Sequence, residues 1–426
     1  MSELGPSPLA GDDQLSVSAA RAAIRAALHP IRGSEPVPLL QALGRVLAAD
    51  VISPIDVPAH DNSAMDGYAL RGSDLQADAP TVLECSATLH AGDVPTGSPP
   101  PGHCVRIMTG AVMPPGLDTV VPQELCQVEG HQVRIAPGQI RPGENRRLRG
   151  EDLACGRPAL QAGRVLRPAD LGLIASLGIA QVEVRRRLRV ALFSTGNELR
   201  TLGEPLDAGC IYDSNRYSLM GALARLGVEI IDLGLVRDDP AALEATFASA
   251  IAQADAVLTS GGVSVGDADH TRDLLARLGT VDFWKVAMRP GRPFAFGPLH
   301  GQDESGAART AWLFALPGNP VAALVTFYAF AREALLALAG ATPEPLPTLQ
   351  ARCMTPIRKR PGRTEFQRGI VSRADDGGWQ VRLTGSQGAG VLRSMSEANA
   401  LVVLGHEQKS VAAGDPVEVW LFDGLV

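Results

Sequence analysis

The chemistry-bearing residues of this chain gather in short polar turns, each placed directly after an apolar run. The richest is TSGGVSVGDAD at positions 259–269, which follows Ala256-Val257-Leu258 and precedes the helix-like DHTRDLLARLG. A glycine-rich turn between strand and helix lets backbone N–H groups, here around Gly261, Gly262 and Ser264, approach a phosphate without obstruction by Cβ atoms. Asp267 and Asp269 at its exit are suited to holding a cation or hydroxyl groups. Further turns repeat the pattern: Ser194-Thr195-Gly196-Asn197-Glu198 after Phe193, Arg237-Asp238-Asp239 after Val236, and Pro317-Gly318-Asn319-Pro320 after Leu316. Glu198, Asp238 and Asp269 would then surround a phosphate pocket with carboxylates, which invites Mg²⁺ between the acids and phosphate oxygens. The segment KVAMRPGRPFAFG begins at Lys285 and adds cationic fork donors, because Arg289 and Arg292 flank the stiff Pro290-Gly291 and can fix an oxyanion. Taken singly, each acid also reads as a helix cap or turn residue, and the basic turn as surface salt bridging. Their coincidence is what points to a site.

Such turns need a scaffold that brings them to one edge. From position 188 the pattern alternates: a strand in LRVALFS, a helix over 215–226, a strand over 229–236, a helix over 240–253 and the strand before the glycine turn. Further strands are expected at 281–286 and 311–316, ahead of a long helix opened by Asn319-Pro320. This alternation implies a mostly parallel, doubly wound sheet, and in such sheets ligands collect outside the carboxyl ends of the strands. Residues 188–340 therefore form a central α/β domain. Residues 18–28 and 39–49 predict helices, and 168–184 return to helical spacing, so 16–50 and 159–187 read as a discontinuous helical region. Residues 51–158 break into short apolar runs separated by proline and glycine, a β-rich inserted domain. Beyond the linker-like ATPEPLPT, residues 341–426 read as a small β-barrel. The fold class is thus multidomain α/β plus β.

The inserted domain carries polar clusters of its own. DNSAMDGYA at 61–69 packs Asp61 and Asp66 among small polar residues, and a pair of Asx-turns is the competing explanation. Thr109-Gly110 follows the run 105–108, and NRRLRGED at 145–152 supplies Arg146, Arg147, Arg149, Glu151 and Asp152. These residues are placed to form the wall of a distant site or of a neighbouring subunit's site.

Composition narrows the function. Net charge is −7, aromatic residues make up 4% and charged residues 20% of the 426, which argues against a nucleic-acid surface. Basic runs at 146–149, 185–189 and 358–360 read as solvated surface or as contacts to a small anion. The 6 cysteines lack metal-site spacing and read as reduced structural thiols. No export signal is expected at the N-terminus, and Arg332 and Glu333 interrupt the apolar stretch 320–340, so a cytoplasmic enzyme without a membrane span is the expectation.

Taken in order, DNSAMDGYA, RIMTGA at 106–111, RGED at 149–152, STGNEL at 194–199, YDSN at 212–215, GGVSVGDAD, KVAMRPGRPFAFG and LPGNP closely resemble the molybdopterin molybdenumtransferase family, known as MoeA in bacteria and related to the gephyrin E domain. The resemblance implies a four-part subunit and a homodimer whose active site combines the α/β domain of one subunit with N-terminal parts of the other. It implies insertion of molybdate into adenylylated molybdopterin with loss of AMP, assisted by Mg²⁺. By motif position it marks Asp61, Thr109, Asp152, Glu198, Asp238 and Asp269 as functional. Lys285 and Arg289 would neutralise phosphate or molybdate, while Arg292, Pro317, Pro320 and Arg368 would shape an oxyanion pocket. Contacts with a molybdopterin adenylyltransferase and with molybdoenzyme maturation proteins are expected partners. Many relatives carry lysine where this chain has Arg289 and Arg292, and serine where it has Ala389; arginine keeps the charge but not the point-donor geometry. The rival readings are a non-catalytic molybdopterin-binding scaffold and the adenylyltransferase itself.

Overall fold

The computed structural model describes residues 14–261, 269–344 and 347–422. Gly262 and Ser264 lie outside these, as does the side chain of Asp269, whose backbone begins the helix Asp269–Leu278.

The central sheet has 6 strands in the order Glu229–Val236, Arg189–Thr195, Ala256–Ser260, Ala308–Leu316, Pro293–Gln302 and Asp282–Lys285. The first four run parallel, and each of the last two pairs antiparallel with its neighbour. Both faces are covered, so the central strands are apolar without interruption. Val190, Leu192, Ala256 and Leu258 point to one core with the helix Ser214–Arg225. Ala191, Phe193 and Val257 point to the other, where Phe193 meets Phe247 of the helix Pro240–Gln253 edge-on at 5.3 Å. The helix from Pro320 to Leu338 contains one π turn, Phe327–Ala331. It is 19 residues long and apolar enough to cross a membrane, with mean hydropathy 1.7 over an 18-residue window, but 72% of that window is buried inside the fold.

The helix Val17–Ala27 is N-capped by Ser16, whose Oγ accepts from the Ala19 N–H at 3.1 Å, and it buries Ile24 against the long helix. The helix expected over 39–49 does not form. A single 3-10 turn, Leu39–Gln41, gives way at Gly44, whose φ of +71° leaves the helical region. The N–H groups of Leu47 and Ala48 then donate to the carbonyls of Arg164 and Glu183, both at 2.9 Å. Likewise the helix Pro168–Ser176 stops short, because Val182 and Val184 belong to the strand Gln181–Arg185 that pairs with Ser34–Pro38. Long-range pairing overrode local helix spacing in both places.

The inserted unit is a 6-stranded sheet with its own small cores. All six cysteines are free; burial pushes the Cys104 thiol up to about 12, as fits an unreactive core thiol. In the C-terminal unit, Thr364–Arg373, Trp379–Leu383, Thr348–Cys353, Pro416–Leu421 and Ala400–Leu404 pair in a ring that closes back on Thr364–Arg373. Met288–Arg289 of the α/β domain extends this barrel, pairing in parallel with Thr364 and Glu365.

The basic run 185–189 is structural rather than a ligand contact. Arg186 grips Asp255 through two hydrogen bonds of 2.7 and 2.8 Å, while the Arg189 N–H and Arg309 donate to the same carboxylate at 2.9 and 3.3 Å. Burial pulls the Asp255 carboxyl upward, but these donors outweigh it and hold it below the ordinary aspartate range. A depressed folded pKa makes the contribution complete above that range and lost as pH falls through the depressed value. Asp255→Asn should therefore lower the unfolding free energy near neutral pH by about 2–3 kcal/mol, the buried-pair cost discounted for the partly exposed Arg186. Denaturant titrations should show the gap to wild type closing in acid; a gap that persisted unchanged there would overturn the assignment.

Candidate active site

The carboxyl ends of the four parallel strands are level, because Thr195 pairs with Val236, Ser194 with Ser260, and Ser260 with Leu316. The polar turns singled out in the sequence therefore open along one edge. Gly261 has φ +93°, and a Cβ there would lie 2.3 Å from the Thr195 carbonyl oxygen, so the backbone crosses where only glycine fits. Its N–H donates to the Leu316 carbonyl at 3.1 Å. Asn215 ties the glycine turn to the LPGNP turn: its Nδ2 donates to Ser260 Oγ and to the Gly318 carbonyl, each at 2.7 Å. Asp213, N-cap of the helix Ser214–Arg225, accepts from Ser194 Oγ at 3.0 Å and anchors this link from below. Sequence reasoning assigned no role to Asp213 or Asn215, although the polar YDSN run between apolar stretches was the available signal.

Glu198 and Asp238 are both exposed at this edge. The Thr195 hydroxyl donates to the Asp238 carboxylate, and the Asp238 N–H donates to Asn197 Oδ1 at 3.3 Å. The Glu198 carboxylate folds back over Gly196, where an added Cβ would lie 2.8 Å from Oε2. Among the described residues no group of three or more His, Cys, Asp or Glu stands as a metal cluster. The third expected ligand, Asp269, has its side chain outside that set.

Beside the LPGNP turn lies a cationic cavity of about 390 Å³, lined by Arg289, Arg292, Pro317, Arg363, Gln387 and Ala389 among others. Gly291, with φ +98°, brings the Pro290-Gly291 bend so close to the long helix that a Cβ would meet Thr326 Oγ1 at 2.4 Å. Across the cavity, the Val321 N–H in the first turn of the long helix donates to the Ala389 carbonyl at 3.1 Å, closing the barrel loop onto the LPGNP turn. Pro320 opens that helix, and Lys285 ends its strand exposed.

Arg368, expected at this pocket, sits fully buried behind it. It holds the loop instead: Nε donates to Ser394 Oγ at 3.0 Å, Nη2 to the Gly388 carbonyl at 2.9 Å, and its N–H to Gln387 Oε1 at 2.7 Å. Burial pushes this guanidinium down to about 10, and the neighbouring charge of Arg289 adds to the effect. Arg363 and Gln387 were not among the expected site residues; only the density of basic residues in RKRPGR hinted at the first.

The remaining residues form a separate cluster. Arg146 pairs with Ser63 and Arg147 with Asn62, which lays NRRLRGED along DNSAMDG. Asp61 Oδ1 accepts from the Arg149 N–H at 2.8 Å, and Asp66 Oδ1 accepts from both the N–H and hydroxyl of Thr109 at 2.7 Å. Asp152, Arg147 and Thr109 are exposed on this surface. These bonds run within the inserted domain and its margins, so the cluster presents its open side outward.

Level strand ends with a glycine turn and exposed acids, next to an arginine cavity completed by a small barrel, define a multidomain α/β protein that handles an anionic ligand of more than one part. Comparison with known proteins agrees. Residues 15–178 match the MoeA N-terminal region (domain I and II), 191–337 a probable molybdopterin binding domain, and 350–422 the MoeA C-terminal region (domain IV). The chain is 41% identical over 394 residues to a molybdopterin molybdenumtransferase of Haemophilus influenzae, covering 92% of this chain and 95% of that one. It is 39% identical to one from Nostoc sp., covering 91% and 88%. Among solved structures, the molybdopterin biosynthesis moeA protein of Pyrococcus horikoshii OT3 superposes with a TM-score of 0.80 at 27% identity, covering 96% of this chain and 100% of that one. The chain belongs to the molybdopterin molybdenumtransferase family.

Gly261→Ala should disrupt the crevice, since the strained φ alone costs about 1–3 kcal/mol before the clash with Thr195. Gly318→Ala, whose added Cβ meets nothing nearer than 3.9 Å, serves as the control. Differential scanning fluorimetry should show a lowered Tm for the first and little change for the second; equal behaviour would remove the close approach from the account.

Proposed function

We propose that this chain is a molybdenum insertase, which transfers molybdate into adenylylated molybdopterin and releases AMP. The observation that carries the reading is an arginine cavity walled by Pro317 of the LPGNP turn, on the same strand-end edge as a glycine turn and acids suited to a phosphate-bearing substrate. In this reading Arg289 and Arg292 hold molybdate, with fork donors matched to its oxygens. Lys285 adds charge near the phosphate, and Pro317 and Pro320 keep the intervening wall stiff. Arg368 acts as a positioning residue, holding the loop that carries Gln387 and Ala389.

The backbone at Gly261 is assigned to the phosphate end, and Gly262 and Ser264 are assigned to it by their place in the sequence motif alone. Glu198, Asp238 and Asp269 are assigned to Mg²⁺ and to the water that cleaves the phosphate bond. The exposed donors at Glu198 and Asp238 are carboxylate oxygens, the hard ligands Mg²⁺ prefers. When bound, the ion would neutralise phosphate charge and stabilise the departing AMP. Thr195 keeps the Asp238 carboxylate aimed by donating to it.

The outward-facing cluster of Asp61, Thr109, Arg147 and Asp152 is assigned to the crevice of a second copy, which makes the working unit a homodimer. Its setting is the cytoplasm, where it would receive substrate from a molybdopterin adenylyltransferase and pass product to molybdoenzyme maturation proteins.

Purified chain incubated with adenylylated molybdopterin should release AMP in a molybdate- and Mg²⁺-dependent manner, read by chromatography. Asp238→Asn should lower kcat by about 10²-fold or more, the usual scale for losing a group in proton transfer or charge stabilisation, with the Tm held. Tight pterin binding without release would instead favour a scaffold.

A further inference from the structure

A second basic cavity lies against the barrel, adjoining the first. Its volume is about 790 Å³, and residues 358–363 and Ser410 form most of its wall. Lys359 is committed to structure: it is buried, and its Nζ donates to the Gln408 and His406 carbonyls at 2.7 and 3.2 Å, which anchors the turn. Arg358 and Arg360 differ. Both are exposed, and neither guanidinium makes a hydrogen bond or ion pair with another described residue. Arg363, the third guanidinium of the wall, shares one oxygen of the buried Glu365 through Nε and Nη2, each at 2.8 Å. The other Glu365 oxygen accepts from Gln367 at 3.1 Å. That leaves the cavity strongly positive on a chain whose net charge is −7.

The two cavities are continuous in their chemistry. Arg363 lines both. The Thr364 N–H beside it donates to the Ala287 carbonyl at 2.9 Å, at the start of the ladder that carries Arg289. Among the described residues no aromatic ring lines the outer cavity, so none of them would stack a nucleobase or a pterin. What the wall offers is guanidinium forks in a region of focused positive potential, the recognition chemistry of a small oxyanion.

We propose that the cavity of Arg358, Arg360 and Arg363 is a second oxyanion subsite, which takes a tetrahedral dianion of the molybdate, sulfate or phosphate class and delivers it past Arg363 to Arg289 and Arg292. Delivery rests on the insertase reading; binding does not. The full-length chain titrated calorimetrically with sodium molybdate, without pterin and at low ionic strength, should show two classes of site. The double variant R358Q/R360Q should lose one class and keep the other, and R289Q/R292Q should do the reverse. Arg358 and Arg360 have no side-chain partners among the described residues, so an unchanged Tm checks the fold. In turnover, R358Q/R360Q should raise the KM for molybdate about tenfold or more while kcat is held, because focusing acts on capture rather than chemistry. Identical titrations for wild type and R358Q/R360Q would overturn the subsite. A lost class with an unmoved KM would overturn delivery alone, and absence of any turnover would leave the titration to decide binding by itself.

Discussion

One continuous apolar core joins parts of the chain that are far apart in sequence. Ile24 of the first helix, Phe330 and Leu335 of the long helix, Phe294 and Phe314 of the sheet, and Phe366, Leu401 and Trp420 of the barrel all belong to it. Aromatic rings meet at its seams: Tyr328 of the long helix lies 6.0 Å from Phe422, and the Arg21 guanidinium of the first helix stands 5.3 Å over the Trp420 ring, which packs 5.2 Å from Phe366 inside the barrel. Interiors packed to this degree transmit position rather than absorb it. The barrel therefore has a fixed seat on the α/β domain, and the arginine cavity between them has fixed walls.

That constraint explains the division of charge. Acids occupy the ends of parallel strands, where Glu198 and Asp238 are exposed. Arginines occupy the seam, where the Met288–Arg289 ladder, the Pro290-Gly291 bend and the barrel loop hold them within reach of one another. Like charges so close are unfavourable in the empty protein, and the penalty is relieved when an anion binds. Asp255 does a different task at the far end of the strands, where its carboxylate pairs with both Arg186 and Arg309 and ties them to the sheet.

Element types in the central domain were readable because its strands are short apolar blocks bounded by glycine, proline and aspartate. The strands Glu229–Val236 and the helix Pro240–Gln253 lie where periodicity placed them. Residues 39–49 were misread because their helical spacing is real; their hydrogen bonds are nonetheless taken by Arg164 and Glu183, more than a hundred positions away. Arg368 was read as a pocket residue because a charged side chain in a polar motif suggests a ligand. Its burial behind the Ser386-Gln387-Gly388 loop depends on the barrel closing, which no local pattern records.

By itself the sequence determined the order of units, the alternating sheet, the positions of the acid and glycine turns and the resemblance to a molybdopterin molybdenumtransferase. These are local or nearly local properties, written in periodicity and in residues whose backbone or charge has few substitutes. Only the tertiary structure decided that Asn215 links Ser260 to Gly318, that Arg363 belongs to the same cavity as Arg289, and that Arg368 is buried and holds the barrel loop. Those facts depend on which strand ends fall level and which barrel strand meets the α/β domain. They are set by packing between distant segments, and a linear pattern carries no measure of that distance.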